Sequence, residues 1–161
     1  MKMKTMSSTL KESKMDIYDH FVKQELVPIV IAKKFGNDKI LRLFDDRALW
    51  TLLMLRKRYE EGHKHPGLYI NDYHFGGINQ YRGWRPGNCP VGAEFSQHKF
   101  GRAFDCIFRN ISAEEVREDI RKNPTEEAFK YITAVELDVS WFHFSTENHN
   151  KEKYGILWIK P

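Results

Sequence analysis

His98 and Asp105 stand seven residues apart in SQHKFGRAFD, and His143 lies downstream in SWFHFST. Imidazole nitrogen and carboxylate oxygen are donors suited to a catalytic divalent metal. Two imidazoles and one carboxylate leave a fourth position open, as a catalytic zinc shell requires. Gly101 permits a tight backbone turn between the pair, and Ala103 leaves room beside it. A His leading into the turn and an Asp on the following strand can then converge on one point. His143 shares a strand face with Trp141 by period two. On spacing alone, a surface His and a capped Asp remain the simpler account.

Such a cluster needs strands and a turn to hold it, and the surrounding sequence supplies them. GLYINDYHF alternates as a β-strand, with Leu68, Ile70 and Asp72 on one side of the pleat. The glycine- and proline-rich stretch from Gly76 to Gly101 reads as a long loop, and loops of that length are more often functional than spare. RAFDCIF, the end of EEAFKYITAVEL, SWFHFST and YGILWIK read as further strands. Around them, Pro28 splits the apolar pattern from Asp16 to Phe35 into two short helical pieces. DDRALWTLLMLRKRYEEG is a helix with Leu49, Leu52, Leu53 and Leu55 or Arg56 facing inward, a cap at Asp45 or Asp46 and a stop at Gly62. Ser112 and Glu115 stand in capping-box positions at the start of another helix. The elements give an α+β fold, a small and mostly antiparallel sheet with helices packed on one side.

Bulk properties narrow the function classes. A chain of 161 residues with 41% hydrophobic and 30% charged residues suits one folded domain, here residues 16–161. The first fifteen residues, with four lysines against one Glu, form a flexible basic arm and carry most of the net charge of +4. No basic stripe with interleaved aromatics follows, which argues against specific nucleic-acid recognition. No apolar run approaches the roughly 18 residues of a membrane span. The N-terminus has no apolar core of a secretory signal, so the expectation is cytoplasmic synthesis. Neither Cys89 nor Cys106 has metal-finger spacing; both are expected reduced, Cys106 in the core and Cys89 more open in its loop.

The wording of the site goes beyond spacing. SQHKFGRAFD matches without a gap the SxHxxGxAxD motif of the M15 zinc peptidases, which include D-Ala-D-Ala carboxypeptidases and phage endolysins. WFHF resembles that family's second motif, and RGWRPGNC resembles its S-G-aromatic-R element with Arg82 in place of Ser. The resemblance runs from about Asp45 to the C-terminus. It implies the fold shared with the hedgehog signalling domain, a four-stranded antiparallel sheet with helices on one side and zinc on the open face. It also implies Zn2+ on His98, Asp105 and His143, and Arg85 reaching a substrate carbonyl or carboxylate. The implied activity is hydrolysis of a peptide bond in the peptidoglycan stem, with a zinc-bound water as nucleophile.

The family's general base normally stands three residues before the last His, and Ser140 occupies that position here. Ser145 stands where relatives often carry an acid two residues after it. Glu136 and Asp138 are the nearby carboxylates. A hairpin with an even loop centred on Asp138 and Val139 sets Glu136 opposite Trp141, on the metal side and diagonal to His143 at roughly 7 Å. Glu136 is the expected substitute base, with Asp138 in the turn as its competitor. Among other residues, Trp84 and Tyr81 are candidates to wall a substrate cleft, and Trp50, Trp158, Phe44 and Leu157 are expected in the core. His63 and His65 read as solvated, His74 as a turn residue, and His20 and His149 carry no partner. The alternative to an enzyme is a catalytically silent, zinc-stabilised module that binds cell-wall fragments or another virion protein. Small size and the missing signal suit a phage-encoded protein released by a holin or carried in a virion.

Overall fold

The computed structural model describes residues 17–60 and 67–161. The basic arm, Gly62, His63 and His65 lie outside the described residues. After helical residues at 17–20, Pro28 separates α1 (Lys23–Leu26) from α2 (Ile29–Lys34), and α3 (Asn37–Leu41) follows. Proline has no N–H to continue α1, and its φ of −55° opens α2.

α4 (Asp46–Arg58) is the main core helix. Asp45 caps it by accepting the Arg47 N–H at 2.9 Å, and the Tyr59 N–H closes it onto the Leu55 carbonyl. Leu49, Leu52, Leu53 and Leu55 are buried along one stripe, and Arg56 is buried with them. Arg56 is tolerated there because Glu25 stands 3.6 Å away and the Phe21 ring lies 3.9 Å beneath its guanidinium. α5 (Ala113–Lys122) carries the expected capping box, with Ser112 Oγ accepting from the Glu115 N–H and Glu115 accepting from the Ser112 N–H.

Among the described residues the sheet has five strands in the order β1-β2-β4-β3-β5: β1 (Leu68–Tyr69), β2 (Ala103–Phe108), β3 (Ala134–Glu136), β4 (Phe142–Ser145) and β5 (Leu157–Ile159). All neighbours are antiparallel except β3 and β5, so the sheet is mixed, with one strand more than the resemblance implies. A short helix, α6 (Lys151–Tyr154), returns the chain so that β5 enters alongside β3 in the same direction.

Strand alternation separates core from site. Phe104, Cys106 and Phe108 of β2 and Phe142 and Phe144 of β4 are buried in one apolar cluster with α4 and α5. Phe44 stacks on Phe104 with ring centres 5.4 Å apart. Asp105 and His143, of opposite parity, therefore emerge on the other face as direct cross-strand partners. Among the described residues no helix is long and apolar enough to cross a membrane.

Several local expectations are corrected. The strand expected over residues 67–75 stops at Tyr69, because its polar residues bond the backbone instead. Asn71 Oδ1 accepts the Arg82 N–H at 2.9 Å, Asp72 Oδ1 accepts the Asn79 N–H at 2.8 Å, and a 3₁₀ turn occupies Tyr73–Phe75. Leu157 is exposed rather than core: on the edge strand β5 it shares the outward face with Ile159, while Trp158 between them packs against the core. Cys89 is buried where its loop folds over it, as is Cys106 in β2.

Candidate metal centre

Ser96 opens a 3₁₀ turn over Gln97–Phe100, and Gly101 ends it at φ 67°. That left-handed geometry disfavours a side chain, and a Cβ there would meet the Leu43 carbonyl oxygen at 1.9 Å. The Gly101 carbonyl accepts the Asp45 N–H at 3.0 Å, so the turn is fastened to the N-terminus of α4. The turn buries His98 and sends the chain directly into β2, two residues before Asp105.

Two of the three donors are oriented by a second contact. His98 Nδ1 donates to the Gly83 carbonyl at 2.8 Å, since the carbonyl can only accept. Its Nε2 is then the lone-pair nitrogen, and it faces Asp105 Oδ1 at 3.2 Å. His143 Nδ1 approaches the same Oδ1 at 2.7 Å. The other oxygen, Oδ2, accepts from Arg85 Nη2 at 2.9 Å. One carboxylate oxygen is thus shared by two imidazoles, and the other is tied back by a guanidinium.

The electrostatics suit metal binding. Burial pushes the His98 imidazole below its ordinary pKa, against the pull of Asp105, which keeps it neutral at physiological pH. Burial would raise the Asp105 carboxyl, but the hydrogen bond from His143 and the polar surroundings of His98 and Arg85 outweigh it and hold the group well below the usual carboxylate range. Metal ligation needs neutral imidazoles and an ionised carboxylate. The ligand atoms of His98, Asp105 and His143 lie within 4.8 Å of one another and can hold a metal ion. Donors around a tetrahedral metal stand roughly 3.3 Å apart; the two separations from Oδ1 differ from this by amounts that small side-chain rotations cover.

The cluster lies in a cleft of about 420 Å³ whose lining includes Glu136, Trp141, Ser145, Glu147 and Ile159. Glu136 is closer to it than the expected hairpin gives. Val135 pairs with Phe144 and Ala134 with Ser145, so the same register sets Glu136 across from His143 rather than Trp141. The register moves by two residues, which preserves the face. Glu136 Oε1 stands 4.0 Å from His143 Nδ1. Asp138 is turned away: its φ is 57°, it is not among the residues lining the cleft, and its carboxylate meets Lys160 Nζ at 3.3 Å. Ser140 is exposed in the same turn.

Arg85 lines the cleft but spends its donors internally, on Asp105, the Tyr81 carbonyl at 2.5 Å and the Val91 carbonyl at 3.5 Å. Trp84 packs against the core, and Tyr81 lines a neighbouring cavity of about 360 Å³ beside Arg82 and Trp141, so neither walls the metal cleft. His20, His74 and His149 stand outside the cluster. His149 Nε2 meets the Gly155 carbonyl at 2.9 Å, and the His74 ring packs on Phe75.

Two residues that sequence reasoning passed over shape the site. Arg117 of α5 is buried and donates to the carbonyls of Glu136, Val139 and Trp141 at 2.8 to 2.9 Å, fixing the β3–β4 turn. Its signal was an arginine on the buried stripe with Val116 and Ile120. Glu147 continues the period-two row of His143 and Ser145 into the cleft. Comparison of the chain with protein-family models, with curated proteins and with solved structures finds no match.

Proposed function

We propose that this protein is a zinc-dependent hydrolase that cuts a peptide bond in bacterial peptidoglycan, in the manner of the M15 peptidases its motifs resemble. The observation that carries the reading is the convergence of His98 Nε2 and His143 Nδ1 on Asp105 Oδ1 in a cleft, with Glu136 4.0 Å from His143. Two imidazoles and one carboxylate with an open side suit zinc, which when bound supplies Lewis acidity to a carbonyl and acidifies water to near-neutral pKa.

The residues of the chain take the remaining roles. Glu136 accepts the proton of the attacking water and returns it to the leaving amine. It replaces the acid missing at Ser140 from the neighbouring strand rather than from the strand of the last ligand. Arg85 fixes the orientation of Asp105, and its guanidinium borders the space in which a carbonyl oxygen develops charge. Val91, Trp141 and Ile159 supply apolar walls that limit water. A peptide with D-centres is the expected substrate, and release by a holin or carriage in a virion would bring the enzyme to it.

The test is digestion of purified peptidoglycan by zinc-loaded protein, read by mass spectrometry beside His98→Ala. New fragments absent from the variant support the reading and name the bond. A protein that binds zinc stoichiometrically yet releases no fragments overturns it. That outcome favours a zinc-stabilised module binding wall fragments or a virion protein, a reading to which serine at both 140 and 145 lends support.

A further inference from the structure

The cleft is unequally charged along its length. His143, Ser145 and Glu147 alternate with buried Phe144 and Thr146 and all three line the cleft. The pairing of this strand with the segment before β2 persists to Thr146, whose N–H donates to the Arg102 carbonyl at 2.9 Å. Four residues at about 3.3 Å each place the Glu147 Cα up to about 13 Å from that of His143. At the metal end Asp105 is held by Arg85 and faces both imidazoles, and Glu136 stands 4.0 Å from His143. At the far end, Glu147 has no hydrogen bond or ion pair to its carboxylate among the described residues. Among the described residues lining the cleft, Arg85 is the one arginine or lysine, and it is committed to Asp105.

We infer that Glu147 is a specificity-determining residue that receives a primary ammonium group on the substrate, two to four residues from the bond at the metal. The inference rests on the hydrolase reading and assigns within it the residue that reads the amine of the substrate's diamino acid. An extended peptide advances at nearly the same rise as the strand beside it, and a long amine-bearing side chain covers the remaining distance. The apolar lining suits such a side chain: Val91, Phe95 and Ile159 border the same cleft and are 43%, 73% and 40% exposed. Methylene stems lie along apolar surface while the charged head reaches its partner. A carboxylate–ammonium contact at the rim discriminates chiefly by electrostatics, so its effect falls with added salt.

The probe is the stem tetrapeptide L-Ala-γ-D-Glu-L-Lys-D-Ala with its lysine amine free or acetylated. Its binding to zinc-loaded protein is measured by calorimetry at low salt. The free amine is expected to bind about tenfold more tightly, the scale of a hydrogen bond to a charged group. Glu147→Gln, which keeps the shape of the side chain, should bring the two affinities together. Equal binding of both peptides, no binding of either, or a preference that survives Glu147→Gln overturns the inference. The hydrolase reading fails separately: a preserved amine preference with no fragments in the peptidoglycan digest removes catalysis and leaves the amine site standing.

Discussion

Arg85 and Asp105 share one buried contact that divides the carboxylate: Nη2 holds Oδ2 at 2.9 Å and leaves Oδ1 to the two imidazoles. The guanidinium therefore aims a ligand as well as bordering a cleft. Groups that orient metal ligands typically matter by 10- to 100-fold in affinity. Arg85→Met keeps much of the bulk and removes the hydrogen bonds. It should weaken zinc by about that factor in a chelator competition, and an unchanged affinity would confine Arg85 to substrate contacts.

Under the proposed hydrolysis, Glu136 and Asp138 make opposite predictions as the general base. Glu136→Gln should reduce turnover of peptidoglycan fragments by about 10²- to 10⁴-fold, with stoichiometric zinc retained. Asp138→Asn should change turnover little, because that carboxylate faces Lys160 outside the cleft lining. Loss of activity in the Asp138 variant with survival of the Glu136 variant would assign the base to the turn.

What the sequence made legible, and what it hid, follows from the range of the interactions. The triad was readable because His98, the turn at Gly101 and Asp105 are local, and because Asp105 and His143 each sit opposite in parity to the phenylalanines that bury in the core. The facing of Glu136 was readable for the same reason, since parity survives a shift of two residues. The register was not, because it is set by Arg117 holding three carbonyls of the β3–β4 turn from a helix about 20 residues earlier. The early end of β1 depended on Asn71 and Asp72 finding partners at Arg82 and Asn79, seven or more residues on. β5 was expected as a strand, but its position at the sheet edge turned Leu157 outward.

Arg117 should thus be worth more than its place on a surface-type helix suggests. It is buried and serves three main-chain oxygens that lose their donors together when it is removed. Arg117→Met should cost about 3–5 kcal/mol in urea unfolding. It should also reduce turnover in the surviving folded fraction, because Glu136 and Trp141 are anchored through it. A cost under about 1 kcal/mol would show that water replaces these bonds freely.

Asp119 sets an acid limit on stability remote from the metal. It sits on α5 and receives Arg58 at 2.7 and 2.9 Å, Tyr59 Oη at 2.5 Å and Asn123 at 2.8 Å, tying α5 to the end of α4. The Arg58 hydrogen bonds are the main cause of a carboxyl pKa lowered to about 2. An unfolded aspartate titrates near 3.9. The folded value is the lower one, so the stabilising contribution is complete above about pH 4 and is lost as pH falls through 2. In this window the unfolded chain binds the proton first, and stability falls with it. The group is partly solvated, so salt should reduce the effect. Asp119→Asn should lower stability at neutral pH and flatten the acid limb between pH 4 and 2 relative to the unaltered protein. Unfolding curves measured at half-unit intervals of pH check this, and identical slopes in the two proteins would place the acid sensitivity in other carboxylates.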